Sequence, residues 1–80
     1  DLLRPAYKYL AEGKTDSALA IFNLIIDSYP NGWNGWDSLG EAYRNAGNLE
    51  ESRNCYEKAL QLKGKDERIE KIIEELKKEL

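Results

Sequence analysis

The sequence is short of several residue types, and their absence excludes whole classes of site. It has no histidine, no methionine and no valine, a single threonine, and one cysteine, Cys55. Without histidine or a second cysteine, the chain cannot form a histidine-based catalytic triad, a Cys/His zinc site or an intrachain disulfide. We expect Cys55 to be a small packing residue, because no second group is placed to make it a nucleophile. The lack of Val and Thr disfavours strands, so the chain is predicted to be all-helical.

Two pairs of carboxylates stand at the i,i+4 spacing of a helix face, Asp37 with Glu41 and Glu70 with Glu74. Such pairs can hold a cation or share a proton. Charged helix faces also produce them by chance, and no glycine-rich phosphate-binding loop accompanies them. We therefore expect solvated faces at these positions, with no catalytic residue, no metal and no cofactor, and we predict that the chain is not an enzyme.

The charge of the chain argues against a nucleic-acid partner. The net charge is -3, with acidic and basic residues intermixed, so the basic field that nucleic acids require is missing. No apolar run approaches the ~20 residues that cross a bilayer, and no secretion signal is evident. We therefore predict a soluble chain without a membrane partner and favour the cytoplasm. Eighty residues are too few for two cores, so we expect one domain. Because the chain begins at Asp1, we expect either a piece of a longer protein or a trimmed chain, and in both cases a targeting segment can have been removed.

The sequence repeats itself with a period of about 34 residues, which is typical of stacked helix–turn–helix units. A shift by this period aligns Tyr9 with Tyr43, Gly13 with Gly47, Phe22 with Tyr56, Ile26 with Leu60 and Pro30 with Gly64. The second copy carries Trp36, Leu39, Gly40, Tyr43, Gly47, Ser52, Tyr56, Ala59 and Leu60. This set resembles the tetratricopeptide repeat, whose pattern is W-x2-L-G-x2-Y, then A-x3-F, then P. Ser52, Tyr56 and Gly64 replace its alanine, phenylalanine and proline, whereas Ala18, Phe22 and Pro30 of the first copy match them.

The resemblance implies an all-α fold, a right-handed α–α superhelix in one domain over residues 1–80. We expect two helix–turn–helix repeats, over 1–32 and 33–66, and a capping helix over 67–80. The segment YPNGWNGWDSLGEAY is also similar to the short repeat pairs that follow the catalytic domain in some bacterial serine hydrolases of the β-lactamase-like type. An engineered chain, made from a truncated natural pair of repeats and a Glu/Lys-rich helix, would have the same appearance.

Turn and capping signals predict where the helices begin and end. We expect helices over 2–12, 16–28, 33–46, 49–62 and 67–80. Thr15 is expected to cap the second helix, and Asn48 with Glu51 to form a capping box on the fourth. In the last helix one apolar stripe should seal the end of the stack, made by Ile69, Ile72, Ile73, Leu76 and Leu80.

The two tryptophans differ in their expected roles. Trp36 stands at the packing position of the repeat, so we expect its ring between the helices of its hairpin and the helix before it. Gly40, one turn later, should let those helices approach. Trp33 has two interpretations: it packs on Pro30 and the end of the preceding helix, or it contacts a ligand or partner.

The resemblance implies a protein–protein interaction scaffold that binds an extended peptide on the concave face of the stack. The residues that this face would present are Leu3, Tyr7, Leu10, Asn34, Asp37, Ser38, Glu41, Arg44 and Asn45. Family members that bind acidic chaperone tails use lysine, asparagine and arginine in this groove. Leu3, Tyr7 and Ser38 occupy those positions here, so we do not expect a carboxylate clamp. The groove is apolar at one end and mostly acidic at the other, so we expect a partner segment with an apolar anchor and a Lys or Arg.

A structural appendage is the alternative interpretation. An upstream domain of the same chain would cover Leu3, Tyr7 and Leu10. The helix over 16–28 is apolar almost all round, which is usual for a helix that is covered on every side. We therefore expect Ala20 and Leu24, with Trp33 as a further candidate, to dock on an adjoining domain or to form a homodimer.

Overall fold

Five α-helices follow one another between residues 2 and 80. The computed structural model describes residues 2–80, so the predicted first position of repeat 1, Asp1, lies outside the described residues. The helices are α1 (Leu3–Ala11), α2 (Thr15–Ser28), α3 (Trp33–Asn45), α4 (Leu49–Lys63) and α5 (Glu67–Glu79). No strand occurs between residues 2 and 80. The prediction of an all-α helical repeat fold is confirmed, and the predicted helix limits lie within one residue of these.

The two hairpins turn at glycines in equivalent positions. Gly13 has φ 77° and Gly47 has φ 84°, a left-handed conformation that favours glycine. The amide of the residue after each glycine donates to a carbonyl five positions earlier, Lys14 to Tyr9 and Asn48 to Tyr43. This 6→1 bond defines the Schellman motif that ends a helix. The chain therefore reverses in the same way in both repeats.

The capping bonds that we predicted at these turns are not formed. Thr15 is the first residue of α2, and neither Lys14 nor Asn48 caps its helix through its side chain. The Schellman motif fixes the residue before each of these helices, with ψ 67° at Lys14 and 77° at Asn48. These angles lie outside the extended region from which a side chain caps a helix. Asp66 is extended, with φ -154° and ψ 109°, and accepts a hydrogen bond from the Ile69 amide at 3.0 Å.

Two apolar clusters run through the stack. The first cluster spans both repeats and consists of Ala6, Ala18, Phe22, Ile26, Leu39, Ala42 and Cys55. The second cluster joins the second repeat to α5 and consists of Tyr56, Ala59, Ile69, Ile73 and Leu76. The predicted stripe of α5 therefore seals the end of the stack, with one exception. Leu80 lies beyond the last turn of α5 and is exposed, because its side chain has no helix to pack against there.

Gly40 permits the closest approach within the second hairpin. A Cβ atom at this position would lie 2.9 Å from the Tyr56 ring, shorter than real Cβ contacts. At the same crossing the Ser52 hydroxyl donates to the Gly40 carbonyl over 2.7 Å, and Ser52 is fully buried. The residue that departs from the alanine of the family pattern thus adds a hydrogen bond between α3 and α4.

The contacts of the two tryptophans differ in part from the predicted ones, because Trp36 and not Trp33 bonds to Pro30. Trp36 is partly buried against both clusters, and its indole Nε1 donates to the Pro30 carbonyl over 3.0 Å. Trp33 packs on the second cluster, and the Lys63 Nζ lies 4.1 Å from its ring centroid. Pro30 is therefore held by Trp36, and Trp33 lies against the end of α4.

Gly40→Ala should destabilise the protein by about 1–3 kcal/mol, the usual cost of overpacking, even though alanine has the higher helix propensity. The cost arises because the buried Tyr56 ring cannot move away from the new methyl group. Gly35→Ala is the matched control on the same helix, since its Cβ would lie 3.2 Å from Ile26 Cγ1, a longer distance than the 2.9 Å at Gly40. Urea unfolding followed by circular dichroism measures both variants. An equal or greater loss in Gly35→Ala would contradict this account.

Candidate functional site

The first helices of the repeats and α5 lie side by side and share one face, which we call the α1/α3/α5 face. Three side-chain hydrogen bonds cross it within residues 2–80. The hydroxyls of Tyr7 and Ser38 are 2.8 Å apart, the Arg68 guanidinium donates to Asp37 Oδ2 over 2.8 Å, and Arg44 donates to Glu75 Oε1 over 3.4 Å. Each contact joins residues 31 positions apart. α5 therefore stands beside α3 as α3 stands beside α1.

Asp37 and Arg44, two of the predicted partner-binding residues, form ion pairs with side chains of α5. Asp37 pairs with Arg68, and Arg44 pairs with both Glu75 and Glu79, the latter at 3.5 Å. These partners on α5 were not anticipated. The 34-residue period carries the signal that would have found them, since it places α5 where the first helix of a further repeat would lie.

Glu41 is the half-buried carboxylate of this face. Within residues 2–80 it makes no hydrogen bond and no ion pair with another side chain. Burial raises the pKa of its carboxyl, the nearby Asp37 raises it further, and Arg68 opposes the rise. Asp37 Oδ1 is itself buried without a hydrogen-bond partner in the described part of the chain. Two carboxylates thus share one guanidinium, and the face carries excess negative charge.

Tyr7 supplies the aromatic surface beside Glu41. Tyr7 is 38% exposed, and its ring packs edge-on against Phe22, with centroids 5.3 Å apart and planes at 71°. Burial raises the pKa of its phenol; the hydrogen bond to Ser38 opposes this, while Glu41 and Asp37 add to it. The ring is therefore held by Phe22 and by the bond to Ser38, while the residue remains partly exposed to solvent.

The other predicted residues of this face are spread more widely. Leu3 and Leu10 are partly buried against the first cluster. Ser38 is only 5% exposed, so a partner would meet it through Tyr7. Asn34 and Asn45 are exposed near the two ends of α3. The structure thus brings together Tyr7, Asp37, Ser38 and Glu41 and leaves the two asparagines apart from them.

The second predicted surface lies on α2. Ala20 and Leu24 are exposed, Leu24 by 52%. Trp33 does not belong to that surface, since it lies at the start of α3 under the Lys63 side chain. The set predicted for docking is therefore divided between two places.

The remaining chemistry of the chain is limited. Cys55 is buried, and this burial, with a smaller effect of Glu51, raises the pKa of its thiol to about 11, so that it stays protonated at neutral pH. In the described part of the chain, no group of three or more His, Cys, Asp or Glu side chains could hold a metal ion. Between residues 2 and 80, none of the helices combines the length and the apolar character needed to span a bilayer.

Comparisons with known sequences agree with the architecture. Two family models, both described as tetratricopeptide repeat, match residues 6–32 and 33–66. No curated protein matches the chain, and the similarity to repeat pairs of β-lactamase-like hydrolases stays a prediction. Two consecutive matches over most of the chain, together with hairpins that turn at equivalent glycines, show that it belongs to the tetratricopeptide repeat family.

Proposed function

We propose that this chain is a protein-interaction module that binds a segment of a partner protein on the α1/α3/α5 face. Tetratricopeptide repeats generally mediate protein–protein interaction, and the family is typically a non-catalytic scaffold. The observation that carries the proposal is Glu41, a half-buried carboxylate that has no ion pair of its own within residues 2–80 and lies near the partly exposed Tyr7. We propose no catalytic residue for this chain.

Charge complementarity indicates the chemistry of the partner segment. The carboxylates of Asp37 and Glu41 face a single cation, the Arg68 guanidinium, which donates to Asp37. A lysine or arginine of the partner would offset the remaining negative charge of Glu41. In a partly desolvated position this ion pair is stronger than one on an open surface. The partner segment therefore carries at least one basic residue.

Tyr7 favours an apolar residue next to that basic residue. Its ring offers apolar surface, and its hydroxyl is already bonded to Ser38. A ring that is fixed before binding loses little side-chain entropy when a partner packs on it. The segment that fits is thus one with an apolar side chain on Tyr7 and a cationic side chain at Glu41.

Asp37 and Arg44 serve this face by holding α5 against α3. Their ion pairs with Arg68, Glu75 and Glu79 join the two helices on the side that faces the partner. We propose that they position the face and do not themselves contact the partner. This differs from the sequence-based expectation, in which Asp37 and Arg44 were contact residues.

A second candidate function is that of a structural appendage, favoured by the exposed Leu24 on α2. In this role Ala20 and Leu24 dock on an adjoining domain of the parent protein. The position equivalent to Leu24 in the second repeat is Lys58, a solvent-compatible residue. A chain with this role alone enriches no peptide in the selection described next, and Leu24→Lys, not Glu41→Gln, weakens its association with the adjoining domain.

Selection from a random peptide library displayed on phage, with the whole chain immobilised, tests partner binding on the α1/α3/α5 face. We expect enriched peptides to combine an apolar residue with a nearby Lys or Arg. Glu41→Gln and Tyr7→Ala should each weaken binding of an enriched synthetic peptide by about tenfold or more, as loss of a central contact does. Glu50→Gln, which removes an exposed carboxylate from α4, is the matched control and should bind as the unaltered chain does. Peptides without a basic residue, or equal loss in Glu50→Gln, would refute the proposal.

The pH dependence of peptide binding should follow Glu41. Because its pKa is raised, the carboxylate loses its charge at a higher pH than an ordinary glutamic acid, whereas a lysine or arginine of the peptide stays charged. Binding should therefore be full at neutral pH and decline as the pH falls through this raised pKa. Glu41→Gln should remove that decline.

Protonation of Glu41 does not itself unfold the chain. A raised pKa in the folded state means that ionised Glu41 disfavours the fold, so protonation of Glu41 removes a destabilising charge. Fluorescence anisotropy of a labelled peptide measures binding, and circular dichroism monitors helix content over the same pH range. Parallel loss of both signals, or an unchanged pH profile in Glu41→Gln, would count against the assignment.

A further inference from the structure

A second surface of the molecule lies at the end of the bundle where α2 stops and α3 begins. Two hollows meet there and share Ile25 and Tyr29 in their walls. One has a volume of about 410 Å³ and is also lined by Leu2 and Leu3. The other has a volume of about 400 Å³ and is also lined by Gly32, Trp33, Asn34 and Gly35. Tyr29 stands between them as a ridge and is 70% exposed.

The repeat itself shows that this ridge is unusual. The residue equivalent to Tyr29 in the second repeat is Lys63, which covers the ring of Trp33 and forms an ion pair with Asp66 at the start of α5. The Tyr29 side chain makes no hydrogen bond or ring contact with another side chain in residues 2–80. Lys63 of the second repeat thus has two contacts within the chain, whereas Tyr29 at the equivalent position of the first repeat projects into solvent.

We propose that a second copy of this chain covers the surface, in a two-fold dimer where Tyr29 of each copy enters the Trp33-side hollow of the other. A projection beside a depression of the same apolar character makes a surface complementary to itself, which is the requirement for an isologous contact. The dimer is independent of the partner binding proposed for the α1/α3/α5 face.

The hollow suits both the apolar ring and the hydroxyl group of a tyrosine side chain. Ile25 and Trp33 provide apolar walls for the ring, and Gly32 and Gly35 contribute no side chains to obstruct it. The N-cap residue of α3 is Gly32, which has no side chain to cap the helix, and the first turn of α3 contains no acidic residue. The hydroxyl oxygen of the entering tyrosine can therefore accept a hydrogen bond from the amides of that turn.

Salt provides a signature of this contact. Each copy carries a net charge of -3, so two copies repel each other at long range, while the first turns of α1 and α3 place no acidic residue at the contact. Added salt screens the long-range repulsion and leaves apolar contacts in place. Dimerisation should therefore strengthen as the sodium chloride concentration rises.

Sedimentation equilibrium of the whole chain, from micromolar to millimolar concentration, tests the proposal. We expect a monomer–dimer equilibrium, weakened more than about tenfold by Tyr29→Lys. Leu24→Lys makes the same change of charge on the outer face of α2 and should dimerise as the unaltered chain does. Both variants should fold, because Lys63 and Lys58 occupy the equivalent positions in the second repeat. A chain that stays monomeric, mass growing beyond a dimer, or a loss confined to Leu24→Lys would overturn the proposal.

Two-dimensional NMR spectra of the backbone amides, recorded over the same concentrations, locate the contact without the use of variants. The amides of Gly32, Trp33 and Gly35 should shift as the dimer forms. Those of Gly13 and Gly47, at the opposite turns of the hairpins, should remain unchanged. Shifts centred on Ala20 and Leu24, with none at Trp33, would place the contact on α2 and refute the Tyr29 dimer.

Discussion

The stack depends on the contact between a small residue of one helix and a large ring of the next. In the second hairpin Tyr56 lies against Gly40 so closely that even a methyl group would not fit. In the first hairpin the equivalent positions hold Ala6 and Phe22, both fully buried. This contact fixes the separation of the helices in a hairpin, and the hydrogen bond from Ser52 to the Gly40 carbonyl forms at the distance that it sets. The two hairpins then stack through shared apolar clusters.

Stacking of equal hairpins places their first helices side by side, which creates the surface for binding. Three hydrogen bonds across this surface share a separation of 31 residues, which shows how regular the arrangement is. This separation differs from the repeat period by about one helical turn, because facing sides of neighbouring helices present residues one turn apart. The sequences of three helices therefore determine the charge on this surface, where Glu41 and Asp37 share the Arg68 guanidinium. Function in this family depends on such details and not on the fold itself.

The sequence predicts most of the fold because the relevant signals are local. Helix ends are marked by Gly13, by Gly47 and by the helix-breaking segment that begins at Pro30. The repeat period of about 34 residues shows which helices are equivalent. The predicted caps at Thr15 and Asn48 were wrong because the Schellman turns fix the backbone of the residue before each helix. That constraint involves several residues at once and is not visible in a residue-by-residue reading of capping preferences.

The site was less predictable than the fold. Helical spacing was sufficient to place Tyr7, Asp37 and Glu41 on one face. It could not show that Asp37 pairs with Arg68 on α5, because that contact depends on the rotation of two separate helices about their axes. The ridge at Tyr29 was missed for a similar reason, since the end of a helix carries no periodic pattern from which the direction of a side chain can be inferred.

The polar links between neighbouring first helices differ in chemistry. α5 is joined to α3 by charged contacts at Asp37 and Arg44, whereas Tyr7 on α1 and Ser38 on α3 form a neutral hydrogen bond. In a repeat stack each unit is stabilised mainly by its neighbours, so transient opening begins at terminal units, which have a neighbour on one side. The hairpin of α1 and α2 is a terminal unit of the part that the structure describes. A ligand that contacts both Tyr7 on α1 and Glu41 on α3 would hold these two helices together. Its affinity would then be coupled to the local stability of the first hairpin.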